Sequence, residues 1–168
     1  GYKNKEIQMA AKQAVLGKKV PAFKLESSSG DTRKLSDFKG KNVVIYFYPK
    51  DSTPGCTTEG QDFNAALAKF KRQETIILGV SRDSIESHLK FIDKQGFKFE
   101  LLSDPDEMLC EMFDVMKMKN LYGRKFRGVE RSTFLIDASG KLVKEWRKVK
   151  VKGHVDEVLE AVKSLNKA

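Results

Sequence analysis

A chain of 168 residues with 40% hydrophobic and 33% charged side chains is long enough to bury the core of one domain, and it contains no apolar run of the kind that spans a membrane as a helix. Its two cysteines are too few for a disulfide framework and point instead to a redox or catalytic thiol in a reducing compartment, the cytoplasm. The formal charge of +9 raises the question of nucleic acid, but Lys18, Lys19, Lys117, Lys119, Arg147, Lys148, Lys150 and Lys152 come without interleaved surface aromatics or a binding motif, so they read as a solvated face open at most to weak polyanion attraction.

In chain order, residues 2–15 place Ile7, Ala10, Ala11, Ala14 and Val15 at near-helical spacing, which predicts a short amphipathic extension (residues 1–15) ahead of a domain over residues 16–168. No secretion-type apolar h-region opens the chain. Two short strands around the polar turn 27–31 predict a hairpin that opens the domain. Residues 42–48 are apolar on both faces, as a central covered strand requires. A helix over 54–72, an apolar strand over 75–81 and a helix over 84–94 make a βαβ unit with parallel pairing. A short strand over 99–102 precedes a helix reaching about residue 114; residues 116–128 read as basic and irregular. Strands over 132–137 and 142–148 form a hairpin, and the last helix aligns Val155, Val158, Leu159, Val162 and Leu165 on one face.

The chemistry gathers where the 42–48 strand meets the 54–72 helix. Thr53 suits an N-cap and Pro54 the first helical position, which sets Cys56 in the first turn. There the helix dipole and unpaired backbone N–H groups favour an anion, so the sulfur would be held as thiolate. A plain reading stands beside this one: an ordinary loop-to-helix junction in which Cys56 is a small buried residue.

The segment Tyr48-Pro-Lys-Asp-Ser-Thr-Pro-Gly-Cys56-Thr-Thr-Glu59 resembles the peroxiredoxin active-site motif, in particular that of the bacterioferritin-comigratory, or peroxiredoxin Q, branch. The resemblance continues through Leu101-Leu-Ser-Asp-Pro-Asp106, Gly128-Val-Glu-Arg131-Ser-Thr-Phe-Leu-Ile-Asp137 and Lys148-Val-Lys-Val-Lys-Gly-His154. It implies a single-domain α/β thioredoxin-like fold, with a mixed central sheet, helices on both faces and an N-terminal hairpin. It also implies a thiol peroxidase acting on hydrogen peroxide and organic hydroperoxides, with Cys56 as nucleophile, Thr53 hydrogen-bonding the peroxide, Arg131 stabilising thiolate and peroxide, and Pro49 shielding the sulfur from water. Glu59 would order Arg131 or the helix start; an exposed first-turn acid explains it nearly as well. The expected partners are the hydroperoxide and thioredoxin or another thiol reductant, with a monomer or weak dimer, no specific nucleic acid and no membrane.

Many members of the branch place a resolving cysteine five residues after the nucleophile, and here that position is Gln61. The other thiol, Cys110, shares a helical pattern with Leu109, Phe113 and Met116, which predicts a core residue and a one-cysteine cycle; a two-cysteine cycle through Cys110 stays open. Met108, Met112, Met116 and Met118 read as core filler before a soft-metal site, and neither His88 nor His154 has ligand-like company, so no metal or cofactor is implied. A thiol–disulfide oxidoreductase is disfavoured, because Glu59 stands where a Cys-x-x-Cys motif needs its second thiol. A peroxide-sensing interaction protein remains the reading from a different class.

Overall fold

A computed structural model describes residues 13–168. Seven strands form one mixed sheet in the order β2-β1-β5-β4-β3-β8-β9. They are β1 (Lys24–Ser27), β2 (Thr32–Lys34), β3 (Asn42–Phe47), β4 (Thr75–Ser81), β5 (Glu100–Ser103), β8 (Ser132–Ile136) and β9 (Leu142–Trp146). β3 pairs parallel with β4 and antiparallel with β8, so it is flanked on both edges, and every one of its residues is buried. The apolar run over 43–47 thus has the cause expected for a strand covered on two faces.

Side-chain alternation along β3 divides the core. Val44, Tyr46 and Tyr48 pack beneath α1 (Pro54–Arg72), α2 (Ile85–Gln95) and α4 (His154–Lys167), against Phe63, Phe70, Phe91, Val158 and Val162. Val43, Ile45 and Phe47 face the other way, into Leu109, Cys110 and Phe113 from the short α3 (Met108–Met112) and its exit. Helices therefore cover both faces, three long ones on one side and a single brief one on the other.

Two elements differ from the sequence reading. The helix expected to reach residue 114 ends at Met112, because Asp114 turns to φ 51 and the Val115 N–H returns to the Cys110 carbonyl at 3.0 Å. Residues 116–128 are not irregular: β6 (Met116–Leu121) and β7 (Arg124–Val129) form a separate antiparallel hairpin. Its turn places Tyr122 and Gly123 at φ 52 and 76, the left-handed pair of a tight two-residue hairpin turn. The expected extension falls mainly on residues 1–12, which lie outside the described residues; of the remainder, Ala14 donates its N–H to the Met112 carbonyl at 2.9 Å and packs on the core. Among the described residues no helix is long and apolar enough to cross a membrane.

Helix α1 approaches its neighbour through a glycine. A Cβ on Gly60 would lie 2.3 Å from Phe97 Cζ, and that ring is held by Phe99 at 5.2 Å and Phe91 at 5.0 Å between centroids. Alanine is the better helix former by about 1 kcal/mol, but forcing extra volume into a packed core costs about 1–3 kcal/mol. Gly60→Ala is therefore expected to lower the free energy of unfolding in urea, and a stabilised variant would show that Phe97 yields freely.

Candidate active site

The site lies where β3 ends and α1 begins. Thr53 is extended at φ −89 and ψ 155, Pro54 takes the first helical position, and Cys56 sits in the first turn with 2% exposure. The Thr53 carbonyl accepts the Thr57 N–H at 2.9 Å, so Thr53 does close the helix start with its backbone. Its side chain does not cap. The hydroxyl donates to the Lys50 carbonyl at 2.7 Å, which uses its hydrogen inside the loop and leaves the oxygen lone pairs as its remaining capacity. The N–H groups of the first helical turn have no intrahelical acceptor by construction, and Cys56 stands among them.

Arg131 comes from the edge of β3 opposite β4. It immediately precedes β8, whose Ser132 pairs with Phe47 at the end of β3, so antiparallel pairing carries the guanidinium to the start of α1. Its Nη2 donates to Cys56 Sγ at 3.5 Å and its Nη1 to Glu59 Oε1 at 2.7 Å. Gly55 permits this approach, since a Cβ there would lie 3.1 Å from Nη2. Burial opposes the Arg131 charge, but Glu59 and Cys56 outweigh it and hold the guanidinium above its ordinary value.

Glu59 is fully buried, which removes the reading of an exposed first-turn acid. Burial pushes its carboxyl up to about 7, against the pull of Arg131, and its Oε2 has no hydrogen-bond partner among the described residues. Tyr46, stacked on Phe63 at 4.5 Å, shares this environment: burial raises its phenol, with Glu59 and Cys56 adding to the effect. Burial also lowers the Lys119 ammonium, and Arg131 lowers it further, which brings the β6–β7 hairpin into the electrostatics of the site. Neither Tyr46 nor Lys119 carries a sequence signal beyond a strand pattern and a basic run.

The remaining candidates fall into place around this centre. Pro49 is half-buried at the exit of β3, in the loop that leads to Thr53. Gln61 bonds Gln95 Oε1 at 2.8 Å on the surface. Cys110 is fully buried in the cluster across the sheet from that of Cys56; burial pushes its thiol well above the ordinary value and Asp104 adds to this. Met112 and Met116 are buried while Met108 and Met118 are exposed, so the four do not converge, and the described residues contain no metal-binding group of His, Cys, Asp and Glu. Both histidines are buried: His154 Nε2 lies 2.7 Å from Thr133 Oγ1, and burial, then Arg131, lowers its imidazole to about 4.

The model of the AhpC/TSA family matches residues 16–145. Peroxiredoxin Bcp of Bacillus subtilis is 52% identical over 151 residues, 90% of this chain and 96% of its own. Peroxiredoxin Bcp of Xanthomonas campestris pv. campestris is 58% identical over 140 residues, 83% of this chain and 88% of its own. The solved Xanthomonas campestris peroxiredoxin Q superposes with a TM-score of 0.82 at 56% identity, covering 86% of this chain and 91% of that one. A mutant of Xylella fastidiosa PrxQ reaches 0.86 at 45% identity, over 90% and 97%. The chain belongs to the AhpC/TSA family and, within it, to the peroxiredoxins, thiol-dependent peroxidases built on a single-domain thioredoxin-like fold.

Glu59 gives the site a pH dependence with a defined sign. A carboxyl held at about 7 in the fold, against an ordinary 4.5, stabilises the folded state fully below pH 4.5 and loses that contribution as pH rises through 7. The difference is worth roughly 3 kcal/mol. His154 works in the opposite sense, its contribution present above pH 6.5 and lost as pH falls toward 4, so the intact protein masks both. Urea titrations of wild type and Glu59→Gln from pH 4.5 to 8 are expected to show wild type losing ground to the variant as pH rises. A pH-independent difference would place the Glu59 carboxyl at its ordinary value.

Proposed function

We propose that this peroxiredoxin reduces hydrogen peroxide and organic hydroperoxides through Cys56. The sulfur, as thiolate, attacks one peroxide oxygen; the O–O bond breaks, and the other oxygen leaves as hydroxide or alkoxide and takes up a proton. Cys56 is left as a sulfenic acid, oxidised by two electrons. Two equivalents of an external thiol, thioredoxin or another reductant, then return it to the thiol with release of water. The observation that carries this reading is the Arg131 fork, which joins Cys56 Sγ and Glu59 through adjacent nitrogens.

Roles follow for the neighbours. Arg131 keeps its charge at every working pH and stabilises negative charge on the sulfur and on the departing oxygen. Thr53, whose hydrogen is already given to Lys50, accepts the O–H of the bound peroxide and thereby orients it. Pro49 screens the sulfur from water, and Glu59 aims the guanidinium. A related solved protein, the Xanthomonas campestris bacterioferritin comigratory protein, is described by its alkyl peroxide reduction activity, which supports including organic hydroperoxides. Cys110 takes no part: it is buried across the sheet, and the cycle uses one cysteine. We place the protein in the cytoplasm as a monomer or weak dimer, without cofactor, membrane or specific nucleic-acid partner.

Stopped-flow peroxide consumption tests the assignment. Cys56→Ser is expected to abolish fast turnover, and Arg131→Met to slow it by about 10²–10³-fold, the usual cost of removing one preorganised electrostatic donor. Peptide mapping without reductant after one equivalent of peroxide is expected to find Cys56 as a dimedone-reactive sulfenic acid. A high yield of a Cys56–Cys110 peptide would overturn the one-cysteine cycle, and an active Cys56→Ser would overturn the assignment itself.

A further inference from the structure

Beneath the loop that carries Pro49 and Thr53 lies a buried polar knot that the chemistry above does not use. Asp51 is 6% exposed. Its Oδ1 accepts the Tyr48 hydroxyl at 2.7 Å, and its Oδ2 accepts the Ser87 hydroxyl at 2.8 Å and meets His88 Nδ1 at 2.7 Å. The other ring nitrogen, Nε2, is 2.8 Å from the Leu102 carbonyl, which only accepts, so Nε2 bears a hydrogen. Nδ1 and the carboxylate then share a second proton, in a pair whose side chains are 0% and 2% exposed. The Asp51 N–H is fixed as well, donating to Asp83 Oδ2 at 2.9 Å.

This knot ties the β3–α1 loop to α2 through His88 and Ser87, and to β5 through Leu102. None of these hydrogen bonds involves the Cys56 sulfur. The loop above it needs such restraint. Ser52, next in the chain, sits at φ 62, a conformation that a non-glycine residue keeps only when its surroundings over-determine it. Lys50 and Ser52 are exposed, and the Lys50 carbonyl is what fixes the Thr53 hydroxyl. A short exposed segment of this kind opens locally far more readily than the domain unfolds.

We propose that Asp51 and His88 are positioning residues for peroxide reduction, their buried pair holding the loop so that a peroxide meets the Thr53 hydroxyl and the Cys56 sulfur together. The proposal rests on the roles given to Cys56 and Thr53 above. Removing one partner strands the other without its counterpart, and the loop relaxes to hydrate it. Thr53 then leaves its place while Arg131 and Cys56, which are anchored by β8 and α1, keep theirs.

Peroxide reduction and alkylation of Cys56 by iodoacetamide separate the two effects, since alkylation needs the sulfur but not Thr53. His88→Leu is expected to slow peroxide reduction by about 10–100-fold, the scale of an ångström-level misplacement. Alkylation should stay level or rise, and His88→Gln, which can still donate to Asp51, should recover part of the loss. A peroxide rate in His88→Leu within twofold of wild type overturns the proposal. So does a parallel fall of both rates with the urea midpoint, which would mark a merely structural role. Should His88→Leu fail to fold, Tyr48→Phe and Ser87→Ala each remove one donor to Asp51; a several-fold loss confined to peroxide reduction supports the clamp, and no loss in either variant overturns it. A wild-type protein without peroxidase activity would sink the parent reading, whereas an active wild type with unaffected variants sinks the clamp alone.

Discussion

One guanidinium shared by two acids organises this molecule. Arg131 is 16% exposed at its side chain, so its charge has lost most of its water and must be repaid by neighbours. It finds two, Glu59 and Cys56, on the same face of the first turns of α1. Because Glu59 is held at about 7, its charge varies across the neutral range, and with it the share of the guanidinium left for the sulfur.

The mixed sheet is what makes that sharing possible. Parallel β4 beside β3 supplies the βαβ unit that points the start of α1 away from the end of β3, and antiparallel β8 on the opposite edge begins where β3 stops. Arg131 is the residue just before that beginning. An all-parallel sheet would have placed the start of β8 at the other end. Gly55 completes the arrangement by leaving room for Nη2 over the helix turn, so one missing side chain and one strand direction together set the distance from cation to sulfur.

These features were unequally legible in the sequence. Continuous apolar runs identified β3, β4 and β8 because burial on both faces leaves no polar alternation to misread. The position of Cys56 in the first turn of α1 was legible from the Thr53-Pro54 helix start, whereas Arg131 entered only through family resemblance, since 75 residues separate it from the sulfur. Glu59 was ambiguous because an acid near a helix start is ordinarily exposed, and only the tertiary cover over α1 makes it buried. Asp51 and His88 carry no sequence signal of their pairing, since 37 residues separate them. The β6–β7 hairpin was missed because most of its side chains are exposed, so no burial pattern imprints an alternation, and its turn uses Tyr-Gly in place of the usual Asn-Gly or Asp-Gly.

The two cysteines show how packing constrains a redox cycle. Cys56 lies in the cluster under α1 and Cys110 in the cluster across the sheet, so neither reaches the other by a change of rotamer. A bond between them needs Cα atoms within about 7 Å, and that requires the segment around α3 to leave its place. Phe113 is then torn from Phe47 and Phe134, whose ring centroids lie 5.4 and 4.7 Å away, and Leu109 and Met112 lose their burial too. At about 1.5–3 kcal/mol for each large apolar side chain exposed, the three together approach the whole stability of a typical domain, about 5–15 kcal/mol. In the cycle we propose, an external thiol would need only the first turn of α1 and the adjoining loop to yield. The free-energy difference between those two openings, set by which face of one sheet each sulfur occupies, is the physical argument for the one-cysteine cycle we propose.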